Sequence, residues 1–244
     1  DDGKLYSGNT WPQYILNAVD AAGVTTFGTS TTDIKDNTDI VFGDNTKLIT
    51  KGSASLNQGN LLVNAFNNIQ AKDYIVLDAV ALVEAPILTT KITNNGHARI
   101  TANKADIKSY NDSIFNLKTD LNLNATNNLS IYGAVGVAHG KAVVDSNNVN
   151  ELVLNDGANV YSLGDTYVGL TQPKTNYDLV GSATYPRANI NLLAKTQIYN
   201  KTAAPVSVNS YAEANHTTND YVTINTGATL KSAGSVNIQS TTPI

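Results

Sequence analysis

The chain contains no cysteine and no methionine. Without a thiol, cysteine-based nucleophilic catalysis is excluded, and no disulfide framework can hold the fold. That absence suits an extracellular or cell-surface protein that does without disulfides. Only two arginines occur, Arg99 and Arg187, and the formal net charge is −4. A nucleic-acid partner requires clustered Lys and Arg to neutralise phosphates, and no cluster is present. No apolar run is long enough to span a membrane; the longest apolar-rich stretch, from Tyr74 to Val83, is interrupted by Asp78. No signal peptide is visible. The start at Asp1-Asp2, without Met, reads as a processed product or a segment of something longer. Nucleophile elbow, phosphate loop and Gly-Gly-x-Gly-x-Asp calcium repeat are all missing.

What the chain does have is asparagine and threonine in abundance, with charged residues at only 15%. Threonine suits a pleated surface and asparagine suits turns, so the mixture predicts many short strands and many corners. From Thr38 onward apolar residues alternate with polar ones, as in Leu61/Val63, Ile75/Leu77, Leu129/Ile131 and Val222/Ile224. Asn-rich and Gly-rich clusters such as Asn94-Asn95-Gly96 and Asn155-Asp156-Gly157 separate them. Loops leaving the array are expected at Asn147-Asn148 and at Gln172-Pro173-Lys174.

Two stretches align without a gap, residues 152–168 and 222–238. Asn155/Asn225, Gly157/Gly227, Ala158/Ala228, Ser162/Ser232 and Gly164/Gly234 are identical, and Leu152/Val222, Leu154/Ile224, Val160/Leu230 and Val168/Ile238 stay apolar. A looser copy runs through Ile40, Phe42, Leu48, Thr50, Gly52 and Leu56. Another is read through Phe115, Leu117, Leu123, Ala125, Asn127, Leu129 and Ile131, with Asn127 where the others have glycine. A repeated strand–turn–strand unit is the mark of a fold that grows by stacking. An antiparallel sandwich gives no reason for such a cassette to recur, whereas a parallel β-solenoid does. The expected fold is therefore all-β, a right-handed parallel β-helix over 38–244. With roughly 20 residues in each rung, ten to twelve rungs would make a rod about 50 Å long.

Residues 1–37 are expected to form a terminal cap or linker. Thr10 is placed to cap a helix, Pro12 stands near its first position, and Gly23 stands where it would stop. Trp11, Ile15, Leu16, Val19 and Ala22 fall at helical spacing, so a short helix is predicted over 11–22. It either covers the open end of the strand stack or belongs to a linker.

The cassette at 152–168 and 222–238 resembles the shaft repeats of bacterial filamentous adhesins, the large two-partner-secretion exoproteins of the filamentous-haemagglutinin and leukotoxin-like type. The segments Gly133-Ala134-Val135-Gly136-Val137-Ala138-His139-Gly140-Lys141-Ala142 and Ser210-Tyr211-Ala212-Glu213-Ala214-Asn215 look like the stretches between their cassettes. The Asn-Pro-Asn-Gly-like motif of the family's secretion domain does not occur, and Asn57-Gln58-Gly59-Asn60 is a poor match. The resemblance implies a secreted or surface-attached β-helical fibre used in adhesion or biofilm formation. Its partners would be surface glycans, host or cell-surface proteins, or further copies through end-to-end stacking. A subunit of a non-covalent filament or surface layer is the alternative.

Parallel β-helices also host polysaccharide-cleaving enzymes. Inverting hydrolysis needs two carboxyl groups roughly 6.5–9.5 Å apart. Asn37-Thr38-Asp39 is an isolated match to the galacturonase-like pattern; Ala138-His139-Gly140 and Arg99-Ile100-Thr101 are incomplete, and the only Asp-Asp pair precedes them. Asp33, Asp36, Asp39 and Asp44 are the densest acidic group, but their spacing does not place all four on one strand face. His97, His139 and His216 are read as surface turn residues. A non-enzyme with no catalytic, cofactor-binding or metal site is expected. The residues singled out for binding are Tyr161, Tyr167, Tyr177 and Tyr185 with Arg187, a candidate contact surface, because tyrosine offers a flat apolar face and a hydroxyl. The competing role for these tyrosines is to cover rung edges or anchor a loop.

Overall fold

In a computed structural model of the chain, the described residues are 4–7, 13–18, 27–52, 58–84, 86–174, 188–202 and 207–240. Among them every regular element is a strand and every ladder is parallel. The first circuit of the coil holds β1 (Lys4–Ser7), β2 (Gln13–Ala18), β3 (Phe27–Ile34), β4 (Asn37–Phe42) and β5 (Lys47–Ile49). The second holds β6 (Leu61–Glu84), β7 (Ile87–Ala102) and β8 (Asp106–Ser109), and the third β9 (Ser113–Leu154) and β10 (Asn159–Ser162). The fourth holds β11 (Thr166–Leu170), β12 (Ile190–Thr202), β13 (Ser207–Ile224) and β14 (Thr229–Ser232), and β15 (Val236–Ser240) opens a fifth. This is a stack of parallel strands of β-solenoid type.

The circuits are far longer than expected. Leu61 pairs with Ser113, and Leu152 with Val222, so one circuit takes 52 residues in the middle of the molecule and 70 in the last. At about 4.8 Å per stacked strand, four circuits rise only about 20 Å, not 50. The coil is wide instead. An outbound wall contains β6 and the first part of β9, and a return wall contains β7 and the second part of β9. A short end wall of β5, β8, β10 and β14 joins them. At about 3.3 Å per residue, the 24 residues of β6 span up to about 80 Å.

Strict alternation makes the walls. In β7 every second residue is buried, and the same pattern runs through the described part of β6. The inward side chains of the two walls meet in three apolar clusters. Leu61, Val63, Ile100, Ile107, Phe115 and Val160 fill the corner end; Ile69, Ile92, Leu121 and Val144 the middle; Ile75, Leu77, Leu88 and Leu129 the far end. Polar side chains lie between the clusters and bond across the gap. Asn67 donates to the carbonyl of His97 at 2.8 Å, Asn127 to that of Lys141 at 2.6 Å, and Thr196 to that of Tyr211 at 3.2 Å. Buried amides must find partners, and here the partner is the opposite wall.

The repeated cassette forms the corner at one end of each circuit. Asn45, Lys104, Gly157 and Gly227 occupy the turn of successive circuits with φ of 64°, 42°, 75° and 82°. One expected copy is misplaced: Phe115 to Ile131 run straight through β9, and the true copy is 100–115. It escaped notice because lysine, not glycine or asparagine, takes its left-handed position and the turn is one residue shorter. Side chains stitch the corners together from circuit to circuit. Asn155 donates to Asn103 at 2.6 Å and Asn225 to Asn155 at 2.8 Å. The Asp112 carboxylate accepts from the Asp165 amide, and Asp165 from the Ser235 amide, both at 2.8 Å.

The helix predicted over 11–22 does not form. Gln13–Ala18 is a strand that pairs with Ile75 to Val80, and no helix occurs among the described residues. The signals used to bound the helix, Thr10, Pro12 and Gly23, lie outside the described residues. The segment up to residue 37, expected as a cap or linker, supplies β1, β2 and β3 to the same ladders. Asn147 and Asn148 begin no loop; both are in β9. Gln172-Pro173-Lys174 does leave the stack. The chain exits at Thr171 and returns at Ala188, whose amide donates to the Thr171 carbonyl at 2.8 Å.

Two substitutions test this packing. A Cβ on Gly140 would stand 2.2 Å from Thr196 Cγ2, so Gly140→Val is expected to cost about 1–3 kcal/mol in urea unfolding. Lys104→Gly is expected to gain about 1 kcal/mol by relieving the left-handed strain, and an unchanged or lowered midpoint would contradict that.

Candidate contact surface

Of the tyrosines singled out in sequence, Tyr161 and Tyr167 are described, and they differ in exposure. Tyr161 lies on β10, half-buried, with Lys108 Nζ of the circuit below 5.6 Å from its ring centroid. Tyr167, on β11, is only 4% exposed. Its hydroxyl is 3.1 Å from both the Gln172 carbonyl and Gln239 Oε1, and Lys174 Nζ sits 5.8 Å from its ring. Tyr167 therefore pins the segment at Gln172 and the fifth circuit, the loop-anchoring role, and offers almost no exposed face. Tyr177, Tyr185 and Arg187 lie outside the described residues.

Sequence reading missed a different set of aromatic positions. Lys118 stands 5.6 Å from the Phe66 ring and Lys141 5.5 Å from the Tyr211 ring, each pair in direct register on adjacent strands. Lys72 and Tyr74, and Lys201 and Tyr199, form the same contact two residues apart along one strand. Such pairs attach a cation to an aromatic face, worth about 0.5–1 kcal/mol where exposed. Only the two short-range pairs had a local signal. The others join residues 52 or 70 apart, which alternation alone cannot register.

Around Tyr211 the outer side of the return wall is concave. A hollow of about 360 Å³ is lined by Ile87, Thr89, His139, Lys141, Asn209 and Tyr211, drawn from three circuits. The Tyr211 hydroxyl donates to Glu213, which pushes the phenol up and the carboxyl down from their ordinary values.

Of the catalytic candidates, Asn37, Asp39, His97 and Arg99 become neighbours on β4 and β7, with His97 Nε2 3.0 Å from both Asp39 carboxylate oxygens, whereas His139 and His216 stand elsewhere. His97, His139 and His216 lie on strands β7, β9 and β13, not in turns. His97 and His139 do not pair, since His97 stands beside Val149 and His139 beside Ile87. His216 points inward, its Nε2 2.7 Å from Thr218 Oγ1 and its Nδ1 buried without a partner. Asp44 pairs loosely with Lys104 at 3.9 Å, while Asp36 sits in the break between β3 and β4. Among the described residues no three His, Cys, Asp or Glu side chains gather as metal ligands, and no helix is long and apolar enough to cross a membrane.

Neither family models, curated proteins nor solved structures give a match to this chain.

Burial gives the fold a pH dependence with a definite sign. It lowers the His216 pKa below the ordinary 6.5, so the unfolded chain takes up its proton first as the pH falls. Stability is lost through that window until the folded imidazole is also protonated. Burial raises Asp36 above 3.8, partly opposed by His97, so Asp36 favours the folded state on the acid side of its own window. The unfolding midpoint of the wild type is expected to drop between about pH 7 and pH 5.5, and less so in His216→Gln. Parallel profiles for the two proteins would rule out His216 as the cause.

Proposed function

We propose that this chain is a structural shaft segment of a secreted or cell-surface fibre of the filamentous-adhesin kind, serving adhesion or biofilm formation. The observation that carries the reading is the column. Asn103, Asn155 and Asn225 bond to one another from circuit to circuit, and Asp112 and Asp165 cap the next circuit's backbone. A unit whose side chains satisfy their own equivalents one circuit away can be extended by repetition, which is what a fibre requires and a single binding pocket does not. The coil is taken as right-handed, as crossovers between parallel strands overwhelmingly are. The mechanism is mechanical: continuous ladders supply stiffness and the outer walls present contact surface.

A second reading, a subunit that stacks end to end without covalent linkage, is favoured by the last circuit. Among the described residues β12, β13 and β14 pair on one side only, and Ile224 and Ile238 are 47% and 51% exposed. Electron microscopy of native material separates the readings. Filaments with strands stacked every 4.8 Å or so along the axis are expected for both. An axial repeat near 20 Å that disperses on dilution selects the subunit, whereas discrete globular particles at every concentration defeat both.

A further inference from the structure

We propose that the outer face of the return wall carries a binding groove for a carboxylate-bearing saccharide, built from Lys35, Asn37, Asn95, His97 and Arg99. The inference deepens the adhesive reading by naming a ligand class, and rests on that reading for its biological role only.

The groove follows from a break in the first circuit. β3 ends at Ile34 and β4 begins at Asn37, and between them the Asp36 carbonyl accepts the His97 amide at 3.0 Å. Gly96 lies beneath this point, and a Cβ there would stand 2.7 Å from the Asp36 carbonyl oxygen. Glycine thus lets the two backbones approach, and the outer face sinks into a hollow of about 250 Å³ across three circuits. Lys35 and Asn37 line it from the first circuit, Asn95, His97 and Arg99 from the second, Asn147 and Val149 from the third.

The Lys35 ammonium, the Arg99 guanidinium and the His97 imidazole line it together. Two of them are held in place from the side. His97 Nε2 lies 3.0 Å from both Asp39 carboxylate oxygens, and Arg99 Nε donates to Glu151 at 2.8 Å. A guanidinium has five N–H donors, so Arg99 keeps four beyond that bond, and its planar end matches a carboxylate. Lys35 and the amides of Asn37 and Asn95 have no side-chain partner among the described residues. The positioned Arg99 guanidinium and the Lys35 ammonium, unengaged amides and the methyls of Val149 are elements that bind a sugar ring: charge for its acid group, donors and acceptors for its hydroxyls, and an apolar spot for its face. The lining comes from three adjacent circuits about 4.8 Å apart, so a ligand lying along the axis can touch all three. Two cations, Lys35 and Arg99, flanked by Asp39 and Glu151 are too few for a nucleic-acid backbone.

The residues came from segments that appear unrelated in sequence. Asn37 and Asp39 lie in the first circuit and His97 and Arg99 in the second, where Asn37 pairs with His97 and Asp39 with Arg99.

The test is titration calorimetry of the full chain with an unbranched oligogalacturonate, with maltohexaose as the neutral control. Lys35→Ala and Asn95→Ala remove exposed, unpartnered side chains, so both variants should retain the wild-type melting curve. Oligogalacturonate is expected to bind the wild type and to weaken by about tenfold in each variant, the loss of one charged or well-made hydrogen bond. Maltohexaose should bind more weakly than oligogalacturonate and be insensitive to Lys35→Ala. No binding of the acidic oligomer, or unchanged affinity in both variants, overturns the groove. Filaments without such binding leave the shaft reading standing, and binding by particles that never form filaments leaves the groove standing alone.

Discussion

The narrow interior between the two long walls is the constraint on which the rest of the structure depends. Every inward side chain has two neighbours to satisfy, the residue one circuit away and the residue across the gap. Because strand side chains alternate strictly, a slip of one residue would turn a whole wall inside out. Apolar clusters alone would tolerate other pairings, since one aliphatic stack resembles another. Asn67, Asn127 and Thr196 each reach a carbonyl of the opposite wall, and these bonds cannot be satisfied in a shifted register. Asp73, buried in the outbound wall, does the same toward the first circuit by accepting from Ser30 at 2.6 Å and Thr32 at 3.2 Å. Placing polar residues between the apolar clusters exchanges some burial for a unique fit.

The corner supplies the other half of the specification. Each circuit must turn at the same place for the walls above and below to align, and the column of left-handed residues fixes that place. Ser109 with Ser113, and Ser162 with Thr166, bond within the corner at 2.7 and 2.9 Å and hold the end wall against the start of the next circuit. The excursion between Thr171 and Ala188 lengthens the fourth circuit, yet the ladder resumes in phase at Ile190 beside Leu121. The outer faces are freer, and it is there that lysines settle on aromatic rings and the hollows around Tyr211 and His97 open.

Much of the fold was legible in particular residues. Val222/Ile224 over Leu152/Leu154, and Gly227 over Gly157, gave away both the strands and the stacking, because the same corner geometry demands the same residue types. The equivalent corner at Lys104 was hidden, since a single lysine strained into the left-handed region carries no local signature. Helical spacing of Trp11, Ile15 and Val19 misled because a short segment fits either periodicity, and here a strand partner at Ile75 to Val80 outweighs propensity. Circuit length was misjudged for a related reason. The cassette marks one end of a circuit, and the long walls between cassettes contain no comparable punctuation.

By itself, the sequence determined the class of structure: parallel stacked strands, polar outside and aliphatic inside, without thiols or a basic nucleic-acid face. Alternation and turn chemistry are local properties, and they are written residue by residue. The tertiary structure alone decided which residues meet. His97 joins Asp39, Arg99 joins Glu151 and Lys141 joins Tyr211 only because circuits of 52 to 70 residues bring them into register. Tyr167 turned from a surface candidate into a buried anchor for the same reason, since its environment is supplied by Gln172 and Gln239 and not by its neighbours in β11. Contacts set by circuit length have no short-range cause, so no window of sequence could contain them.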